Sequence, residues 1–119
     1  MAAKLSRRSY TFAQEQIAAG HAVLDDRDDW SEHQPSSRDE NAFIAEHGWD
    51  AYARWHLATD ETHPAHTKAH YKFPFGDFHD VHRCAILSAE SRAAQRHYED
   101  VERAVAHLHG MLELLRQRA

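Results

Sequence analysis

The sequence predicts an all-α fold, a single small helical domain over residues 1–119. Its long C-terminal antiparallel helix hairpin carries shorter N-terminal helices packed on it. Three observations predict this. Apolar residues recur at helical spacing along most of the chain, helix-start signals precede them, and no convincing apolar/polar alternation marks a strand. A chain of 119 residues buries roughly two-thirds of its unfolded surface, enough for one core without a disulfide.

Residues 11–24 read as the first helix: Thr11 and Gln14 make a capping box, and Phe12, Ala13, Ile17 and Leu24 recur on one face. The aspartates of DDRDDW are unfavourable at the negative end of a helix dipole, so this helix stops near Leu24. Residues 31–38, SEHQPSSR, form a polar linker. Ser37 and Glu40 make a second capping box, Gly48 closes that helix, and Trp49, Tyr52, Ala53, His56 and Leu57 outline a third. Residues 59–67 read as loop or the frayed start of a helix.

Pro74 pushes Phe73 toward extended geometry, Gly76 completes a turn, and Asp77 is the N-cap of a helix beginning at Phe78. The hairpin spans residues 78–118, with its hinge at residues 97–99. Its second helix carries a heptad-like seam of Val101, Ala104, Val105, Leu108, Met111, Leu112 and Leu115. Gly110 interrupts that helix at a cost of about 1 kcal/mol relative to alanine.

Composition narrows the function classes. The net charge of −5 argues against a nucleic-acid partner held by bulk electrostatics, although an arginine face (Arg83, Arg92, Arg96, Arg103) is present. Twelve histidines are enough to reverse the sign of that charge if all were protonated. Cys84 is alone, which excludes an intramolecular disulfide and fits a reducing cytoplasm. No apolar run approaches the roughly 20 residues that span a bilayer, and no secretory signal is visible, so the expected location is cytoplasmic.

The chemistry-bearing candidates are few. His79 and His82, at i and i+3 on the expected helix, share a face with Asp77 or Asp80 at hand. Two imidazoles and a carboxylate there suit zinc or another divalent transition metal. His63, His66 and His70 form a second, looser set. The run Asp25, Asp26, Asp28, Asp29 lacks the spacing of a calcium loop and reads as a solvated turn. Cys84 follows His82 by two positions, which do not face each other on a helix, so it reads as a buried, inert thiol. Tyr71, Phe73 and Phe75, with Arg83 at the rim, have the composition of a binding patch if part of the set is exposed; as core residues they would seal the hairpin.

YKFPFGDF at 71–78, VHRCA at 81–85 and SRAAQ at 91–95 resemble a family of small uncharacterised bacterial helical proteins. The likeness extends upstream through WSEHQP and EHGWDAYARWHL. A looser likeness over about the final 50 residues is to a short module near phage head-maturation proteins. The first implies a self-contained bacterial protein and the second an assembly role; neither supplies an activity or a ligand residue.

The expectation is therefore a non-enzymatic binding or assembly protein without a cofactor. Its partner would be another protein, or a second copy held through the C-terminal helix. The alternative is a histidine-based metal-binding protein, extending to a metal-dependent hydrolase.

Overall fold

In the computed structural model, which describes residues 3–118, strands occupy several stretches that helical spacing had claimed. The element order is β1 (Ala3–Leu5), α1 (Arg7–Ala18), β2 (Ala22–Val23), α2 (Trp30–His33), α3 (Ser37–Arg54) and β3 (His56–Asp60). A 3-10 turn (Lys68–His70), β4 (Tyr71–Pro74), β5 (Val81–His82), α4 (Arg83–Arg96) and α5 (Glu99–Arg118) follow. The all-α expectation is thus corrected to a mixed α/β fold. β1, β3 and β4 form an antiparallel sheet with β3 in the centre, and β2 pairs β5 in parallel.

The central strand escaped the sequence reading for a physical reason. His56, Leu57, Ala58 and Asp60 are all buried, so β3 is covered on both faces and shows no polar alternation. Its first two residues also continue the helical spacing of the preceding segment. The other strands are two to four residues long, too short for a periodic signal, and exist because β1 and β4 pair with β3 while β2 and β5 pair with each other.

Helix α1 begins earlier than expected. Ser6 is its N-cap, accepting from the Ser9 backbone N–H at 3.3 Å, and residues 22–23 leave the helix for β2. The expected linker at 31–38 holds part of the short α2. The capping box of α3 is Ser36 with Asp39, one position before the expected pair. Gly48 does break that helix, at φ 87°.

The segment at 77–82 departs most from expectation. Asp77 Oδ1 accepts the backbone N–H groups of His79 (2.9 Å) and Asp80 (2.8 Å), which closes a turn and starts no helix. Phe78 sits at φ 73°, outside the helical region, and α4 starts five residues later than expected, at Arg83. Gly76 is required there. A Cβ at this position would lie 2.5 Å from the Trp55 ring and against the Asp80 carbonyl oxygen. Phe73, expected to be extended, lies at φ 61°.

The helix hairpin itself is present, turning at His97 in the left-handed region (φ 59°). Its seam packs within the chain: Val101, Ala104, Val105, Leu108 and Leu112 are buried against α4, α1 and β1. Each such leucine contributes about 1.5–3 kcal/mol relative to exposure. The Leu5 N–H donates to Asp100 Oδ2 at 2.9 Å and fastens β1 to α5. No helix among the described residues is long and apolar enough to cross a membrane.

Candidate metal centre

The tightest gathering of reactive side chains lies where β2, α2 and the start of α4 meet. Asp25 emerges just after β2 and turns inward, 9% exposed. Its Oδ2 lies 2.7 Å from His33 Nδ1, 2.7 Å from His82 Nδ1 and 3.0 Å from Cys84 Sγ. Its Oδ1 accepts the Cys84 backbone N–H at 2.7 Å, supplying from a distance the cap that His82 does not give α4. One donor atom from each of Asp25, His33, His82 and Cys84 lies within 4.8 Å of the others.

Local backbone geometry explains the convergence. His82 is extended (φ −105°, ψ 127°), and the helix begins only after it. His82 is the last residue before the helix and Cys84 lies in its first turn, so one Asp25 carboxylate meets the His82 ring, the Cys84 thiol and a free N–H of that turn together. The parallel pairing of Val23 with His82 brings the loop carrying Asp25 alongside. Arg83 clamps that loop, donating from Nη1 to the Asp25 carbonyl oxygen (3.0 Å) while its Nε pairs with Glu113 (2.9 Å).

The second nitrogen of His82 is also engaged: Nε2 lies 2.9 Å from Asp77 Oδ2. With a carboxylate at each nitrogen, the ring is held as the imidazolium. Burial works to lower its pKa, and hydrogen bonding and charge from Asp77 and Asp25 more than reverse this. Burial likewise acts to raise the Asp25 pKa. The Cys84 thiol and backbone N–H, with His82 and His33, outweigh it and hold the carboxyl well below the usual carboxylate range. Burial and the adjacent Asp25 carboxylate push the Cys84 thiol far above its ordinary value, so here it is the protonated donor.

The donor types of this set, one carboxylate, two imidazoles and a thiol, suit a tetrahedral ion. Zinc bonds of about 2.0–2.3 Å require donor separations of about 3.3–3.7 Å. The distances from Asp25 Oδ2 are about 0.5–0.7 Å shorter, as hydrogen bonds require, so the carboxylate must draw back by that much to admit an ion. His82 would then ligate through Nδ1 while Asp77 orients it through Nε2–H, a carboxylate–histidine–metal arrangement.

Of the expected metal residues, His82 and Asp77 meet. His79 stands exposed in the 77–80 turn and is not one of the four clustered donors. Asp25, His33 and Cys84 escaped the reading because they join through tertiary pairing; the His-x-Cys spacing was the one available signal. The looser histidine set does not converge in this way. His66 stacks on Trp49, and His70 Nδ1 faces the His63 carbonyl oxygen at 2.9 Å. Of the expected binding patch, Phe75 and Phe73 are in the core, Tyr71 is half-buried beside Trp49 and Tyr52, and Arg83 is the clamp described above.

Two clefts flank the cluster. One, of ≈ 750 Å³, is lined by His33 and Asp77 together with Glu32, Asp39, Glu46, His47 and His79, and no lysine or arginine among the described residues lines it. The other opens on the Cys84 side. No protein-family model, curated protein or solved structure matches this chain.

Proposed function

We propose that this chain is a metal-binding protein whose centre is Asp25, His33, His82 and Cys84, with zinc as the first candidate ion. The observation that carries the reading is the convergence, within 4.8 Å, of four donors of zinc-ligand type from residues 25–33 and 82–84. The orienting bond from Asp77 supports it, and so does the acidic cleft beside His33, which concentrates cations at the centre. Four protein donors fill a tetrahedral shell, which favours a structural or regulatory ion over a hydrolytic one that needs an open position. A binding or assembly role has less support, because the α5 seam and most of the aromatic turn lie in the core.

Loading the ion displaces the thiol proton and the Nδ1 proton of His82, so affinity falls as pH drops. The test is elemental analysis with native mass of untagged protein, followed by cobalt(II) titration. One equivalent of ion and a thiolate charge-transfer band, lost in Cys84→Ser and weakened in His33→Ala, are expected. Protein that takes up neither zinc nor cobalt at micromolar concentration overturns the reading.

A further inference from the structure

We propose a second binding site, for a phosphate-bearing anionic small molecule with an aromatic or apolar body, in the cleft on the Cys84 side of α4. This site goes beyond the metal reading and needs none of the four metal donors as a ligand. The cleft has a volume of ≈ 580 Å³, inside the range of about 300–1,000 Å³ typical of small-ligand sites.

Its lining is rich in donors. Arg27 comes from the loop after β2 and Arg92 from α4, and both are exposed. Ser88, Ser91 and Arg92 stand at i, i+3 and i+4, so two hydroxyls and a guanidinium share one helix face. Arg83 and Arg116 are paired with Glu113, whereas no carboxylate lies within 4 Å of the Arg27 or Arg92 guanidinium among the described residues. Asp28 is the single carboxylate of the lining.

The field is also asymmetric across the metal cluster. Among the described residues, the cleft on the far side is lined by four carboxylates and no lysine or arginine, while this one carries two arginines. Arg92 is shared with a smaller adjoining cleft of ≈ 380 Å³ that adds Lys72 and Arg96, so positive charge continues along α4. In a chain of net charge −5 this is a local reversal of sign.

Guanidinium forks and hydroxyls match the several acceptor oxygens of a phosphate. The half-buried indole of Trp30 supplies an apolar wall for the rest of the molecule.

The test is calorimetry of the full chain with pyrophosphate, ADP, adenosine and oligothymidylates of increasing length. ADP should bind more tightly than pyrophosphate, and adenosine should not bind. Arg92→Gln and Arg27→Gln should each weaken ADP by about tenfold or more, and Arg103→Gln, on the exposed side of α5, should not. Circular dichroism checks that the variants stay folded. Three outcomes overturn the proposal: no binding at millimolar ADP, adenosine binding as well as ADP, or affinity that grows with oligonucleotide length. The last would mark a nucleic-acid surface. Zinc uptake is measured separately, so failure here leaves the metal reading standing, and the reverse also holds.

Discussion

Replacing His56 with glutamine should flatten the acid side of the stability profile. His56 is 4% exposed in the central strand, with Nδ1 2.9 Å from the Tyr52 carbonyl oxygen and its ring against those of Tyr52 and Tyr71. Burial pushes its pKa down from 6.5 to about 4, against a smaller opposing effect of the Tyr52 hydrogen bond. In the unfolded chain the ring takes a proton near pH 6.5, and in the folded chain only near pH 4. Between those values the unfolded state binds more protons, so stability falls as pH drops. At up to about 1.4 kcal/mol per pH unit, the loss from pH 7 to pH 5 is about 1.8 kcal/mol. That is a substantial share of the roughly 5–15 kcal/mol typical of a domain. Glutamine keeps an N–H for the Tyr52 carbonyl but does not titrate. Urea unfolding followed by tryptophan fluorescence, between pH 7 and pH 5, reads the difference in slope between the two proteins. Profiles parallel to within about 0.5 kcal/mol would refute the burial argument.

Three further outcomes are expected. Gly76→Ala drives a methyl group into the Trp55 ring and the Asp80 carbonyl and should cost about 3 kcal/mol or more; an unchanged melting temperature would show that the turn yields. Gly110→Ala should stabilise by about 1 kcal/mol, because Gly110 is exposed inside α5 with nothing within 4 Å of an added Cβ. A fall in the urea midpoint would contradict this. Asp25→Asn, measured in chelator, should cost about 1.5–3 kcal/mol, since it removes the charge-assisted bond to His82 across 2.7 Å while Asp77 still faces the ring from its other nitrogen. A loss below about 1 kcal/mol would show that Asp25 organises little in the ion-free fold.

The helical part of the fold was legible because its signals are local. The hairpin, its turn near His97, the break at Gly48 and the turn at Gly76 each rest on residues close together in sequence. Helix starts slipped by one to five positions where two polar residues competed for the cap, as Ser36 did with Ser37 and Asp77 with the true start at Arg83. Of the four donors of the candidate centre, only His82 was singled out from the sequence as a ligand, with Asp77 five positions away, whereas Asp25 is 57 positions from His82.

The sequence by itself determined the C-terminal hairpin, the glycine-dependent turns and the unusual supply of histidines, because 3.6-residue periodicity and turn chemistry act over short range. Tertiary structure alone decided the sheets and the cluster. β3 is a strand because β1 and β4 pair with it and helices cover it, although its first two residues continue a helical pattern. Asp25 is drawn from an acidic surface run into contact with two histidines and a thiol because Val23 pairs with His82 and α4 starts one residue later. Pairing between distant segments carries no periodicity within either one, so only the folded chain brings those donors together.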